Sequence, residues 1–289
     1  MGYLWSCIEE WLRALLCEGI ISNLSGMFDS VNGRVAEISG EIGQTPQGWN
    51  AGIFNMIHNL SESVIVPIAG LILAFVMTLE LIRLITEKNN LYDLDTWIFF
   101  KWIFKSAAAI LIVTNTWNIV MGVFEASQSV VAKASGLISG STSIDISAVT
   151  ADMGEKLFSM SLGSLFGLWF QSLFVGITMW ALSICIFIVI YGRMIEIYLV
   201  TSIAPIPMAT MLGREGGGMG QSYLRSLLAL GFQAFLILIC VAIYAVLVQN
   251  IATQADISSA IWTCMGYTVL LCFTLFKTGS LAKSVFNAH

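Results

Sequence analysis

Residues 157–192 read LFSMSLGSLFGLWFQSLFVGITMWALSICIFIVIYG, and this stretch sets the structural class of the chain. It contains 36 consecutive residues without an Asp, Glu, Lys or Arg. A helix needs about 20 mostly apolar residues to cross the hydrocarbon core of a bilayer. The stretch is therefore long enough for a membrane span and a short segment before it, and lipid is the solvent for part of this protein.

The composition of the whole chain agrees with this interpretation. Only 11% of the 289 residues are charged, 57% are hydrophobic, and the mean hydropathy is +0.84. An average soluble domain has about 25% charged residues. With 13 basic against 18 acidic residues and a pI near 5.0, the chain also lacks the basic surface of a protein that binds duplex DNA directly.

Four further spans follow from the other stretches that lack charged residues. The five predicted spans form an all-α, polytopic membrane domain over residues 63–289 and lie at about 64–85, 97–121, 163–193, 227–248 and 259–276.

A sixth uncharged stretch, at 197–213, holds Pro205 and Pro207. Proline inside a helix removes a hydrogen bond and costs about 3 kcal/mol. We therefore expect residues 194–213 to form a broken, re-entrant or interfacial segment instead of a simple crossing.

The distribution of Lys and Arg predicts the orientation, because short loops rich in these residues stay in the cytoplasm. Five spans with the N-terminus outside place nine basic residues inside and four outside. A sixth crossing at 197–213 would place five inside and eight outside. The sequence thus predicts an N-out, C-in protein with the broken segment on the cytoplasmic side.

Residues 1–62 are predicted to form an extracytoplasmic head with an amphipathic helix. Apolar pairs recur every four residues from Tyr3-Leu4 to Leu15-Leu16, so the apolar stripe spirals slowly around a 3.6-residue helix. Such a helix lies on the outer leaflet or packs against a neighbouring subunit, and both alternatives stay open. The candidate contacts of the head are Trp5, Trp11 and Leu15.

Small residues recur every four positions just before and within the third predicted span. Ser159, Gly163 and Gly167 stand four residues apart, and this spacing permits close approach between membrane helices. The contact is predicted either within the chain or with another subunit.

The sequence contains no catalytic set. His58 and His289 are its two histidines, so the chain cannot build a His-based triad or zinc site, and its six cysteines include no C-x-x-C pair. The glycine cluster at 213–220 lacks the Lys-Ser/Thr of a phosphate-binding loop and is predicted to be a flexible cytoplasmic loop. We expect a protein without enzymatic activity, cofactor or metal.

The most distinctive polar residues lie before the broken segment. Arg193 and Glu196 are three residues apart on one helical face, where they are able to pair. Ionisable residues at a membrane boundary are candidates for function. Gln233, inside a predicted span, is a candidate for a polar seam or an interhelical hydrogen bond.

Three motifs carry a resemblance to a known family: YGRMIE at 191–196, APIPMA at 204–209 and YLRSLL at 223–228. With the glycine-rich loop between them and Gln233 after them, this part resembles the TrbL-like inner-membrane subunits of conjugative type IV secretion systems. The compact plan with an external head is similar to members encoded on integrative conjugative elements of Gram-positive bacteria. The resemblance implies a homo-oligomeric ring at the base of the conjugation channel, working with the secretion ATPases and other membrane subunits.

Our prediction is a non-enzymatic channel or scaffold subunit of a conjugation apparatus in the bacterial plasma membrane. Its candidate residues for assembly or translocation are Arg193, Glu196, Pro205, Pro207 and Gln233, and direct contact with nucleic acid is left open. The alternative is a stand-alone secondary transporter or ion channel. Transporters usually have internal repeats with matched broken helices, and 197–213 has no counterpart in the first half of the chain. A lysis or immunity protein is a third possibility.

Overall fold

The computed structural model describes residues 2–86, 96–138, 154–213, 217–252 and 256–288. Within these ranges the chain is helical and has no strand. The helices are α1 Gly2–Ile42, α2 Pro46–Trp49, α3 Ala51–Leu60, α4 Val66–Thr86, α5 Thr96–Thr114, α6 Thr116–Ile138, α7 Leu162–Ser202, α8 Pro205–Thr210, α9 Gly217–Ala252 and α10 Ile257–Val285. A π-helical turn at Ser61–Ile65 joins α3 to α4.

Five helical segments are long and apolar enough to cross a membrane, as the sequence predicts. They are Ala51–Thr86, Thr96–Thr114, Leu162–Ser202, Gly217–Ile251 and Ile257–Val285. The prediction of an all-α protein with five spans is therefore confirmed.

The helices differ in length from the spans that charge-free stretches indicate. Helix α7 has 41 residues. At 1.5 Å per residue it is about twice as long as the ~30 Å hydrocarbon core is thick. A helix continues past the hydrocarbon wherever its backbone bonds stay intact, so α7 extends through 194–202, residues that the sequence assigned to the broken segment.

The span predicted at 97–121 falls on two helical segments, with Asn115 between them. Its backbone N–H and its side-chain Nδ2 both donate to the Leu111 carbonyl, at 3.1 and 2.9 Å. An asparagine side chain that competes for a backbone acceptor is unfavourable inside a helix. Helix α5 ends at Thr114 and α6 begins at Thr116, and the Asn115 carbonyl still accepts from the Ile119 N–H at 3.0 Å.

The described helices group into two compact units. Unit 1 comprises Met1–Ile42, Val131–Ile190 and Phe235–Thr278. In it the α1 residues Leu16, Ile20, Leu24 and Met27 are buried. Asn23 Nδ2 of α1 donates to Ser172 Oγ of α7 at 2.8 Å, and a Cβ added at Gly19 would lie 3.0 Å from the Trp169 ring. The head helix is thus packed tightly against α7 along one face.

Unit 2 comprises Gly43–Val130, Tyr191–Ala234 and Gly279–His289. It contains α2 to α5, most of α6, the end of α7, all of α8, the first half of α9 and the end of α10. The three motifs that carry the family resemblance all fall in this unit.

Candidate functional site

The end of α7 is a helix break that proline creates and local hydrogen bonds stabilise. Pro205 and Pro207 have no N–H, so the carbonyls of Thr201 and Ile203 lose their usual donors four residues ahead. The N–H of Ala204 donates to Thr201 at 3.2 Å, and that of Ile206 donates to Ile203 at 3.1 Å. These tighter, three-residue turns satisfy the freed carbonyls without water.

Hydroxyl groups satisfy further polar groups around the break. The Tyr223 hydroxyl of α9 donates to the Val200 carbonyl at 3.1 Å, and the Tyr198 hydroxyl donates to the Pro46 carbonyl at 2.6 Å. Trp49 of α2 packs edge-on against the Tyr191 ring, with the centroids 5.3 Å apart. Non-helical backbone at membrane depth is tolerated where protein satisfies it. Here Tyr223 of α9 satisfies the Val200 carbonyl, whereas Tyr198 of α7 bonds to α2.

The short helix α8 lies in the interior of unit 2. Five of its six residues are buried: Pro205, Pro207, Met208, Ala209 and Thr210. Ala209 belongs to an apolar cluster with Leu73 of α4 and Val113 of α5. The preceding Ala204 belongs to a second cluster, with Phe124 of α6, Met194 and Ile197 of α7, and Leu227 and Leu230 of α9. The proline segment therefore contributes residues to two apolar clusters of unit 2.

Two glycines of α9 permit close contacts with this core. A Cβ at Gly220 would lie 2.7 Å from the Met211 Cβ and 2.8 Å from the Pro207 carbonyl oxygen. A Cβ at Gly231 would overlap Ser127 of α6. Gly217, Gly218 and Gly220 belong to the first turns of α9. For these three residues the prediction of a flexible loop was wrong, since they are helical. Gly220 is required there for close packing against the helix break.

Arg193 is a buried cation in the same interior. It is 8% exposed, and its Nε donates to the Leu230 carbonyl of α9 at 3.2 Å. Burial of a charge is costly unless polar groups compensate for the lost water. A guanidinium inside a segment of spanning length is therefore a candidate for function.

The pairing that the spacing of Arg193 and Glu196 allows is not a direct contact in the structure. Glu196 pairs instead with Lys283 of α10, with Nζ and Oε1 3.0 Å apart, and both side chains are about half exposed. The Arg193 side chain turns inward to a carbonyl, whereas Glu196 stays at the surface. The three-residue spacing brings the two backbones close but does not determine where each side chain points.

Gln233 is also buried and lies one turn after Leu230 on α9. A Cβ at Gly279 of α10 would be 3.3 Å from its Nε2. The amide thus rests against the glycine backbone of α10. Of the five predicted site residues, Arg193, Pro205, Pro207 and Gln233 are buried in unit 2, and Glu196 is at its surface.

An ion pair between α4 and α5 was missed by the sequence analysis. Lys105 Nζ and Glu80 Oε1 are 2.6 Å apart, and the Glu80 side chain is 9% exposed. The Glu80 side chain turns inward, and one turn earlier on α4 the Met77 carbonyl accepts a hydrogen bond of 3.0 Å from Trp102 Nε1. Opposite charges on two consecutive spans are the signal that could have indicated this pair.

A family model described as "TrbL/VirB6 plasmid conjugal transfer like protein" matches residues 31–205, more than half of the chain. The chain belongs to the TrbL/VirB6-like family. The match runs from the end of α1 to the first proline of α8 and includes Arg193 and Glu196. No curated protein and no solved structure matches the chain. The predicted TrbL-like resemblance is confirmed, and the protein is a multi-pass membrane subunit of a conjugal transfer system.

Two surfaces of unit 1 in this TrbL/VirB6-like chain remain exposed. Trp11 and Leu15 of α1 are 65% and 51% exposed, and the Trp5 side chain lies outside the described part of the structure. On α7, a Cβ added at Gly163 or Gly167 would meet nothing within 4 Å.

Ser159, the first member of the small-residue spacing, lies in a turn before α7. Its hydroxyl donates to the Lys156 carbonyl at 2.7 Å. The spacing on α7 itself therefore consists of Gly163 and Gly167.

Proposed function

We propose that this chain is a non-enzymatic channel or scaffold subunit of a conjugative type IV secretion apparatus, and that several copies assemble in the bacterial plasma membrane. The family match over residues 31–205 is the observation that carries the proposal. The secretion ATPases and other membrane subunits are the proposed partners. The head, residues 1–62, faces outside, and α8 lies toward the cytoplasm.

The interior of unit 2 supports a role in assembly or translocation. Arg193 and Gln233 are buried in segments otherwise suited to lipid, and the two prolines are buried in α8. A guanidinium has five N–H donors, and one of them binds the Leu230 carbonyl. Polar groups retained at this depth are expensive, so their presence favours a functional over a purely structural role.

The exposed surfaces of unit 1 support contacts between copies. Trp11 and Leu15 place large apolar side chains on the outer face of α1. Gly163 and Gly167 leave a smooth strip on α7 that another helix can approach closely. In a closed ring, each copy would cover these surfaces of its neighbour.

The mass and symmetry of the purified protein test the proposal. Mass photometry in lipid nanodiscs gives the copy number, and two-dimensional class averages from electron microscopy give the symmetry. A closed ring of several copies is the expected result. A monomer or dimer that persists in lipid would overturn it and favour a stand-alone transporter or ion channel.

A further inference from the structure

A cleft of about 400 Å³ lies between α4 and α5. It extends along α4 from Val66 to Thr78, which is about 18 Å at 1.5 Å per residue. Its walls are mainly apolar, and small residues of α4, Gly70 and Ala74, form its recess. A Cβ added at Gly70 would meet nothing within 4 Å, so the recess is open space.

The cleft lies among side chains suited to lipid. Leu71 and Phe75 of α4 are 75% and 65% exposed, and Phe104 and Leu111 of α5 are 78% and 63% exposed. Both helices belong to segments long enough to span a membrane. A molecule that enters the cleft therefore comes from the bilayer.

One end of the cleft is cationic and aromatic. Trp102 lines this end, and Lys105, one turn later on α5, pairs with Glu80. Lys101 is exposed, with its Nζ 5.9 Å from the centre of the Trp97 ring. Arg83 follows Glu80 by one turn on α4, so the described side chains here are three basic residues and one carboxylate.

We propose that the α4/α5 cleft binds one acyl chain of an anionic phospholipid, with the lipid phosphate against Lys101. The apolar recess accepts the chain, and the excess of basic groups among the described side chains at this end selects an anionic headgroup. Tryptophans such as Trp97 and Trp102 are enriched at headgroup level in membrane proteins. Basic pockets between membrane helices bind anionic headgroups by the same electrostatics.

Native mass spectrometry of the full chain, purified in mild detergent, tests the proposal. The protein is incubated with equal amounts of phosphatidylglycerol and phosphatidylcholine of matched acyl chains but distinguishable mass. Gly70→Leu fills the recess, and Lys101→Gln removes the cation. The controls are Gly122→Leu, where an added Cβ also meets nothing within 4 Å, and Lys133→Gln, an exposed lysine of α6. Thermal melts and mass photometry show whether each variant keeps its fold and copy number.

We expect the wild type and both controls to retain phosphatidylglycerol about fivefold better than phosphatidylcholine. Gly70→Leu should lose both lipids, whereas Lys101→Gln should lose only the preference. Equal retention of the two lipids by the wild type, or unchanged retention by folded Gly70→Leu, would overturn the proposal. A changed copy number in Gly70→Leu with lipid retention intact would also overturn it and assign the cleft to a subunit contact. If Gly70→Leu does not fold, Ala74→Leu replaces it under the same criteria.

Discussion

The helix break in unit 2 and the head helix in unit 1 place their apolar side chains differently. Around the break, all but one residue of α8 are buried, and the Tyr223 hydroxyl satisfies the Val200 carbonyl. Helix α1 buries Leu16 and Ile20 but exposes Trp11 and Leu15. One chain supplies the hydrogen bonds and apolar contacts of the break, whereas the exposed apolar side chains of α1 need lipid or another subunit to cover them. Changes at the break should therefore alter folding, and changes on the outer head should alter assembly.

The neighbours Leu15 and Leu16 give the largest expected effect and the most direct test of this difference. Leu16 is 6% exposed, and Leu15 is 51% exposed. Leu16→Ala should lower the free energy of unfolding by about 2–5 kcal/mol, because it creates a cavity in unit 1. Leu15→Ala should leave the melting temperature unchanged but reduce the copy number in nanodiscs. Equal melting temperatures for both variants would contradict the division of α1 into two faces.

The Glu80–Lys105 pair tests whether the interior of unit 2 depends on its own charges. Lys105→Met removes the cation beside a buried carboxylate, and we expect it to lower the free energy of unfolding by about 3 kcal/mol. The double variant Glu80→Met/Lys105→Met should recover most of that loss, because it also removes the buried carboxylate. Denaturation of each variant in detergent measures both values. A double variant as unstable as the single one would show that the pair is not the source of the effect.

Gly220 and Gly218, in the same turn of α9, form a matched pair at the helix break. An added Cβ collides with Met211 and Pro207 at Gly220 and meets nothing within 4 Å at Gly218. Gly220→Ala should cost about 1–3 kcal/mol by overpacking, whereas Gly218→Ala should be neutral or slightly stabilising. Thermal melts of the two variants compare the same chemical change in two environments. Similar melting temperatures would mean that α9 is able to move away from α8 at little cost.

How much of this arrangement the sequence predicts depends on how many helices a feature involves. The five spans follow from the lengths of the charge-free stretches, and each length can be counted without knowing the neighbouring helices. Pro205 and Pro207 break the backbone wherever they occur in a helix, so a disrupted segment was predictable as well. The break itself occurs later than predicted, after Ser202, because the effect of proline begins only one turn before it.

The partners of the polar residues depend on which helices are neighbours. Glu196 is 87 residues from Lys283, and Lys105 is 25 residues from Glu80. The role of Gly220 depends on Met211, the residue after α8, lying against it. A single sequence does not show these neighbours, so Arg193 and Glu196 were identified as candidates, but Leu230 and Lys283 were not identified as their partners.

Arg193 and Glu196 test the proposed function at the break. Arg193→Gln removes a charge-assisted hydrogen bond to the Leu230 carbonyl, worth about 1.5–3 kcal/mol, and should sharply reduce conjugal transfer. Glu196→Gln breaks a half-exposed pair worth at most about 1 kcal/mol, and transfer should remain near the wild-type level. Complementation of a deletion strain, with membrane levels measured by immunoblot, separates transfer from expression. Normal transfer in both variants would remove this motif from the candidate site.

Cys7 and Cys17 test the two faces of α1 without altering packing and have the smallest expected effect. Cys7 is exposed, whereas Cys17 is buried. Burial raises the pKa of the Cys17 thiol, and the nearby Arg13 cation only partly opposes this. The thiolate is the reactive form, so in the folded protein iodoacetamide should label Cys7 and spare Cys17.

The stability of the fold should also depend on pH through Cys17, because the pKa of its thiol is higher in the folded than in the unfolded chain. The contribution of Cys17 to stability is fully present below the ordinary thiol pKa of about 8.5 and is lost as the pH rises through the folded pKa. Mass spectrometry of labelled peptides between pH 7 and about 9.5 measures the protection, with Cys17→Ser as the control for peptide assignment. Equal labelling of both cysteines at pH 7 would mean that α1 leaves α7 frequently, and its inner face would then be as available to a neighbouring subunit as its outer face.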